Sequence, residues 1–137
     1  MGQYYLTVNK TKKQYLNPHK FGSGLKLMEF SGDQESIMQG LAILLASGNG
    51  RGGGDLRSND PIVGSWAGDE IVVAGDYGDD GLFTDGAKDG MGKEYNLYGL
   101  ANAEFEDVSD AVIGAITAAE GSMSRLSKLN LESDGWR

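Results

Sequence analysis

The apolar positions at the start of the chain predict a β-hairpin. Residues 3–9 (QYYLTVN) are rich in β-branched and aromatic residues, and residues 14–16 (QYL) supply a second apolar segment after a polar turn. Asn17-Pro18 ends the second segment, because proline has no amide hydrogen to donate to a strand ladder. In residues 25–30 (LKLMEF) the alternation favours a third strand, although the composition also permits a helix.

Two longer segments, 34–46 and 109–120, have the apolar spacing of amphipathic helices. Each is followed by a glycine, Gly48 or Gly121, that suits a helix C-terminus. The inward-facing residues expected in the first helix are Ile37, Met38, Leu41, Leu44 and Leu45. Those expected in the second helix are Ala111, Val112, Ala115, Ile116 and Ala119. Residues 95–100 (YNLYGL) fit either a strand or a single helical turn.

Residues 71–74 (IVVA) form the densest β-branched run of the chain and predict a central strand. Because their side chains show no polar alternation, we expect this strand to be buried on both faces and the rest of the fold to be organised around it. Gly68-Asp69 and Gly75-Asp76 bracket the run, which would hold two carboxylates on a rigid support.

Together these elements predict one α+β domain over residues 1–121, followed by a polar tail over 122–137. The expected architecture is a small, mainly antiparallel sheet with two packed helices and long glycine-rich loops. The chain has 137 residues, which is enough to bury a core, and 22 of them are glycine. The glycines concentrate in 48–54 and 75–92, which indicates loops in a folded chain rather than general disorder.

The amino-acid composition limits the cellular compartment and the kinds of site that the chain can form. The chain has no cysteine, which excludes disulfides, thiolate metal sites and a cysteine nucleophile. Its longest apolar run, residues 41–46, is far shorter than the ~20 residues of a membrane-spanning helix. The N-terminus lacks the basic-then-apolar pattern of a secretion signal. We therefore expect a soluble, cytoplasmic (intracellular) protein without a membrane partner.

Acidic residues dominate the middle of the chain, although the formal charge of −8 is unevenly spread. Residues 1–30 hold five lysines against Glu29 alone, whereas residues 69–110 hold twelve acids and only Lys88 and Lys93. An acidic surface repels phosphate backbones, so general nucleic-acid binding is not expected. The middle of the chain suits cations or a basic protein surface better.

The glycine-rich segment 48–61 is the first candidate site, because loops longer than ~12–15 residues are uncommon in compact domains and often functional. It is not a Walker-type phosphate loop, since it follows a predicted helix and contains no Gly-Lys-Ser/Thr. Its glycine amides, with Arg51 and Arg57, favour an anion-binding nest for a phosphate or carboxylate. Asp55 belongs to the same expected ligand surface. The alternative is a connector whose glycines adopt positive φ angles.

Two further candidates lie outside that segment. Asp76, Asp79 and Asp80 resemble half of an EF-hand loop, but two ligand positions are missing, so only weak cation binding or a solvated turn fits. His19, the sole histidine, would need an orienting carboxylate, Asp55, Asp69 or Asp76, to act as a base. It is more simply interpreted as a turn residue.

Several aromatic residues flank these candidates. The simplest interpretation is core and rim packing, and the more specific one is a stacking platform for a nucleic-acid base. The residues concerned are Tyr4, Tyr5, Tyr15, Trp66 and Tyr77.

Several spaced motifs over residues 2–77 resemble a family of short uncharacterised proteins from microbial and phage-like genomes. The motifs are GQYY (2–5), NPHKFG (17–22) with GLKLMEF (24–30), GRGGGD (50–55), and WAGD (66–69) with AGDY (74–77). The resemblance implies a self-contained unit with no known activity. A phage-like origin would favour an inhibitor of host defences, by association alone.

We predict a non-catalytic, acidic binding protein whose ligand is small and phosphorylated or otherwise anionic. One alternative is a phage-type inhibitor, anti-CRISPR-like or a nucleic-acid mimic, that presents its acidic surface to a basic host protein. The other is a metal-assisted hydrolase or phosphotransferase with Asp69 and Asp76 as ligands and His19 as base. The sequence assigns neither a cofactor nor an oligomeric state. The expected ligand-binding residues are His19, Arg51, Asp55, Arg57, Trp66, Asp69, Asp76 and Tyr77.

Overall fold

A computed structural model describes residues 3–30, 36–48, 56 and 58–120 of the chain. The strands in these ranges are β1 (Tyr5–Asn9), β2 (Gln14–Leu16), β3 (Ile71–Gly75) and β4 (Glu106–Asp107). The α-helices are α1 (Ile37–Leu45), α2 (Leu97–Glu104) and α3 (Ser109–Glu120). Short 3-10 helices occupy Pro18–Phe21 and Leu27–Glu29.

The strands form one mixed sheet in the order β3-β1-β2-β4, so β1 lies between β2 and β3. β1 pairs antiparallel with β2 through the predicted hairpin and antiparallel with β3, while the short β4 pairs parallel with β2. The predicted α+β class with a mainly antiparallel sheet is therefore confirmed. The described ranges contain three helices rather than two, because residues 97–104 form α2.

Successive residues of β1 face opposite sides of the sheet, and each side has its own core. Leu6 and Val8 pack towards α2, whereas Tyr5 packs towards α1 and α3. The sheet is therefore sandwiched between two helical layers. The buried residues on the α1–α3 side are Leu16, Phe21, Phe30, Ile37, Ile43, Leu44, Trp66, Val108, Val112, Ile113 and Ile116. Those on the α2 side are Leu6, Val8, Ala74, Leu97, Leu100 and Ala101.

The prediction that β3 is buried on both faces is wrong. β3 is an outer strand and Val73 is 40% exposed, whereas every β1 residue from Leu6 to Asn9 is buried. A run without polar alternation does not distinguish a central strand from an outer strand that is partly covered by loops. The strand at the centre of the sheet is β1, although it carries the polar residues Thr7 and Asn9.

The predicted third strand over residues 25–30 is also absent, since this segment contains the 3-10 helix Leu27–Glu29. The Glu29 carboxylate accepts a hydrogen bond from the Lys26 backbone N–H (3.2 Å), which closes a local turn instead of a strand ladder. Met28 is exposed, so the alternation of this segment does not correspond to a buried face.

Helix α1 lies within the predicted segment, but its buried face is rotated relative to the prediction. Gly40 and Ile43 are buried, while Met38 and Leu45 are exposed. Gly40 allows the ring of Phe21 to approach the helix so closely that a Cβ would lie 2.7 Å from Phe21 Cε2. A prediction from apolar spacing does not count glycine as a core-facing residue. It therefore placed the buried face of α1 incorrectly.

Helix α3 has the predicted bounds, 109–120, and its buried face differs from the prediction at two positions. Val112, Ala115 and Ile116 are buried as predicted, whereas Ala111 is exposed and Ile113 is fully buried. Among the described residues we find no helix with both the length and the apolar character needed to span a bilayer.

Candidate functional site

The predicted ligand-binding residues fall into two groups. Arg51, Asp55 and Arg57 lie outside the described residues, so the glycine-rich anion nest stays a prediction. The remaining predicted residues have defined positions, and the structure distributes them over different parts of the sheet instead of assembling them. These residues are His19, Trp66, Asp69, Asp76 and Tyr77.

Asp69 and Asp76 lie at opposite ends of β3, because the whole strand from Ile71 to Gly75 separates them. At about 3.3 Å per residue, an extended chain of this length spans roughly 20 Å. The two carboxylates therefore cannot bind one metal ion together. Within the described ranges, moreover, no three His, Asp or Glu side chains come together as a metal-binding group.

Asp69 stabilises the β1–β2 hairpin. Its Oδ2 accepts hydrogen bonds from Asn9 Nδ2 (2.9 Å) and from Lys12 Nζ (2.5 Å), and its side chain is only 11% exposed. The hydrogen bond from Lys12, followed by that from Asn9, lowers the pKa of the Asp69 carboxyl below its ordinary value. Because Asn9 Oδ1 accepts a hydrogen bond from Lys12 N (2.9 Å), the three residues form one network that fixes the hairpin turn.

Trp66 and Asp76 also have structural roles. The Trp66 side chain is fully buried, and its Nε1 donates a hydrogen bond to Gln14 Oε1 (2.8 Å). Asp76 extends the contact between β3 and β1, since its Oδ1 accepts a hydrogen bond from Tyr4 N (3.0 Å). Its backbone carbonyl accepts another from Asn96 Nδ2 (2.8 Å). The partners of these two side chains account for their positions without a ligand.

His19 and Tyr77 lie at separate places on the surface. His19 is exposed in the 3-10 helix Pro18–Phe21, which packs against α3. Tyr77 is exposed and lines an open cleft beyond the C-terminal end of β3. The aromatic residues form no common platform, because Tyr5 packs on the α1–α3 side of the sheet and Tyr15 on the α2 side.

A more enclosed cleft lies between the β1–β2 hairpin, the loop 83–87 and the C-terminal end of α2. Its volume is about 370 Å³, which is within the usual range of small-ligand sites. We refer to it as the hairpin cleft. Its walls include Lys10, Lys13, Phe83, Thr84, Asp85, Glu104 and Phe105.

Strained backbone is concentrated around this cleft. Lys13 (φ 57°), Phe83 (φ 64°) and Asp85 (φ 53°) are the described non-glycine residues with left-handed φ, and all three line it. A left-handed backbone costs an L-residue about 1–2 kcal/mol. Such strain is typical of ligand-binding and catalytic segments, where the surrounding structure holds residues in unfavourable conformations.

Thr84 contributes a buried hydroxyl to the wall of the cleft. The residue is 3% exposed, and its Oγ1 has no hydrogen-bond partner among the described residues. An unpaired buried hydroxyl costs about 1–3 kcal/mol. The Thr84 carbonyl accepts a hydrogen bond from Ala87 N (3.1 Å), so the loop that carries the hydroxyl is held in place. Because this oxygen has almost no accessible surface, a polar group of a ligand in the cleft would reach it after a rotation of the Thr84 side chain.

The two lysines of the cleft differ in their electrostatic surroundings. Lys10 Nζ lies 3.0 Å from Glu70 Oε2, 3.6 Å from Asp85 Oδ1 and 5.7 Å from the centre of the Phe83 ring. The hydrogen bond with Glu70 is the main cause that raises the pKa of Lys10. Lys13, in contrast, forms no ion pair within the described part of the chain. As far as the described residues extend, the Lys13 ammonium is therefore available to an anion in the cleft.

Sequence reasoning missed this cleft because its walls are far apart along the chain. The sequence predicts a polar turn at residues 10–13 and an Asp/Gly loop at residues 78–92, and no spacing relates the two segments. The second segment leaves β3 at the end that pairs with Tyr5 and folds back beside Val72 and Val73, which brings residues 83–87 next to the hairpin turn. The sequence feature that could have indicated the cleft is Phe83, a large apolar residue in an acidic, glycine-rich segment.

Comparisons with protein-family models, with curated proteins and with solved structures found no match to this chain. The resemblance to short microbial and phage-like proteins therefore stays a prediction.

Proposed function

We propose that this protein is a non-catalytic binding protein that holds a small anionic ligand in the hairpin cleft. The observation that carries the proposal is the coincidence of three features in one cleft: strained backbone, and a lysine and a buried hydroxyl that have no partner among the residues the structure describes. The strain and the unpaired hydroxyl both cost free energy in the unliganded protein. A ligand that bonds to the hydroxyl offsets part of that cost.

The chemistry of the cleft favours a single anionic group attached to an aromatic or apolar body. The Lys13 ammonium would donate a charge-assisted hydrogen bond to a phosphate or carboxylate. Phe83 and Phe105 supply apolar surface for the body of the ligand, and Thr84 supplies a further polar contact. Asp85 and the rest of the acidic surroundings would repel a polyanion, which is why a compact monoester fits better than a nucleic acid.

Binding rather than catalysis is supported by the placement of the groups that would act as bases. His19 belongs to the 3-10 helix beside α3 and does not line the cleft. The Asp85 carboxylate is paired with the Lys10 ammonium at 3.6 Å. Asp69 holds the hairpin turn instead of facing a ligand.

Phenyl phosphate is a suitable probe of this proposal, with inorganic phosphate and benzoate as partial analogues. Calorimetric titration of the full chain should show saturable binding of phenyl phosphate. Lys13→Gln should weaken that binding at least about tenfold, because it removes a hydrogen bond to a charged group worth about 1.5 kcal/mol or more. The stability of the chain should change little, since glutamine meets the same left-handed backbone as lysine.

Lys93→Gln provides the matched control. Lys93 is an exposed lysine outside the cleft, and the hydrogen bond recorded for it to Asp89 involves its backbone N–H and not its side chain. This variant should bind phenyl phosphate like the unaltered chain. Equal loss of affinity in both variants would indicate general charge attraction, and failure of the unaltered chain to bind any of the three probes would refute the proposed ligand class.

A further inference from the structure

The β1–β3 ladder fixes which backbone groups of β3 point away from the sheet. Lys10 N donates a hydrogen bond to Glu70 O (3.0 Å), and Asp76 N donates one to Tyr4 O (2.9 Å). These bonds identify Lys10·Glu70 and Tyr4·Asp76 as hydrogen-bonded pairs that flank the ladder at its two ends. Hydrogen-bonded and non-hydrogen-bonded pairs alternate along an antiparallel ladder, so the intervening residues follow from these two.

It follows that Val72 and Ala74 direct their backbone groups towards β1, whereas Ile71, Val73 and Gly75 direct theirs away from it. In the part of the chain that the structure describes, the outward N–H and C=O groups of Ile71 and Val73 have no backbone partner. An outer strand with unpaired backbone groups is a template for the addition of another strand.

An apolar groove of about 150 Å³ runs along this free edge. Its walls include Val73, Leu82, Phe83 and Leu97. Val73, Leu82 and Phe83 are 40%, 51% and 48% exposed, so a substantial apolar surface lies beside the unpaired backbone groups. Side chains on one face of an added strand would pack into this groove, while its backbone pairs with β3.

Both ends of the edge are acidic. Glu70 and Asp85 lie at one end with side chains 65% and 84% exposed, and because both share the single ammonium of Lys10 this end keeps a net negative charge. Asp79 and Asp80 are exposed at the other end. We infer that the free edge of β3 binds an extended basic segment of a partner protein, which joins the sheet as an additional outer strand. Apolar residues of that segment fill the groove, and its lysines or arginines meet the carboxylates at both ends.

A second copy of this chain fits the edge less well. An antiparallel pairing centred on Val73 sets Glu70 opposite Asp76 of the second copy, because the two residues lie equally far on either side of the centre. Like charges directly opposite one another destabilise a strand pair. A basic partner replaces this repulsion by attraction, which is why the edge favours a partner of different chemistry.

The test uses the full chain and two synthetic peptides. The basic peptide is Lys-Lys-Val-Thr-Val-Thr-Val-Lys-Lys, and the acidic peptide has glutamate in place of each lysine. The basic peptide should bind with an affinity that falls as salt is added. Its binding should also slow amide hydrogen exchange at Val73, because the outward N–H of that residue becomes paired.

Val73→Pro removes the outward N–H donor of residue 73. It should weaken binding of the basic peptide about tenfold or more, because the hydrogen bond from that N–H is lost and the adjacent strand hydrogen bonds are weakened. Proline is tolerated on outer strands where the N–H faces solvent, so the fold should survive. Val73→Lys is a second variant that keeps the backbone donor and adds a repelling charge. Met91→Lys is its control, since Met91 is 94% exposed and does not line the groove.

The inference would be overturned by equal binding of the acidic peptide, by undiminished binding to both Val73 variants, or by unchanged hydrogen exchange at Val73. A dimer of the free chain that Val73→Lys dissociates would also overturn it, because a second copy would then occupy the edge. Phe83 lines both the groove and the hairpin cleft, and it is left unchanged in every variant. The Val73 variants should therefore retain phenyl phosphate binding, which separates the two proposals.

Discussion

Replacing Thr84 by valine should stabilise the unliganded protein and weaken its ligand binding at the same time. Valine keeps the shape of threonine but lacks the hydroxyl, which is buried and has no partner among the described residues. The penalty for such a hydroxyl is about 1–3 kcal/mol, and we use the lower limit of that range. We therefore expect a gain of about 1 kcal/mol, or roughly 3 °C in Tm for a chain of this size.

The expected loss of binding follows from the same hydroxyl. A neutral hydrogen bond contributes about 0.5–1.5 kcal/mol, so phenyl phosphate should bind Thr84→Val about threefold to tenfold more weakly. Urea unfolding followed by tryptophan fluorescence measures the first effect, and calorimetric titration measures the second. The opposite signs of the two effects distinguish a residue that serves a ligand from one that serves only the fold.

Thr7→Val is the matched control for this substitution. Thr7 is 1% exposed, and its Oγ1 also lacks a partner among the described residues, but it does not line the hairpin cleft. This variant should gain a similar stability and bind phenyl phosphate normally. Loss of stability in Thr84→Val, or an unchanged affinity, would refute the role of the Thr84 hydroxyl in ligand binding.

Two further predictions concern the hairpin turn and the helical layer. Lys12 and then Asn9 lower the pKa of Asp69 below its ordinary value of 3.8, so the stabilisation by the ionised carboxylate is complete above that value and is lost as pH falls through the lower folded-state pKa. Asp69→Asn should therefore destabilise the chain at about pH 7 and progressively less towards about pH 3 in urea unfolding, and a constant difference would contradict this. Gly40→Ala should cost about 1–3 kcal/mol in thermal unfolding, because its Cβ would lie 2.7 Å from Phe21 Cε2.

Gly114→Ala is the control for the glycine substitution. At this exposed position of α3, a Cβ would have no described atom within 4 Å apart from its chain neighbours and the backbone of its own helix. Because alanine exceeds glycine in helix propensity by about 1 kcal/mol, Gly114→Ala should stabilise the chain. If both substitutions stabilised it, the close contact between α1 and Phe21 would be refuted.

The elements that could be predicted from the sequence are those that local chemistry determines. Asn17-Pro18 ends β2 through the missing amide hydrogen of proline, and apolar spacing identifies α1 and α3. The buried face of α1 could not be predicted, because Gly40 contacts Phe21 through the absence of a side chain. The position of β3 could not be predicted either, since outer and central strands share the same apolar composition.

The hairpin cleft was beyond sequence reasoning for a different reason. Lys13 and Thr84 come together because the chain after β3 folds back beside that strand and α2 towards the hairpin turn. That return is a long-range arrangement that no local pattern encodes. The left-handed backbone of Phe83 and the hydroxyl of Thr84, which has no partner among the described residues, are likewise properties of the folded loop. Neither property can be predicted from the residue type.

Chemical-shift mapping of phenyl phosphate on the isotopically labelled full chain tests the proposed site most directly. If the ligand occupies the hairpin cleft, the largest amide shift changes will occur at Lys13, in residues 83–87 and at Phe105, and they will saturate together. Changes confined to residues 49–57 would place the ligand in the glycine-rich segment instead, and would contradict the assignment of the site to the hairpin cleft.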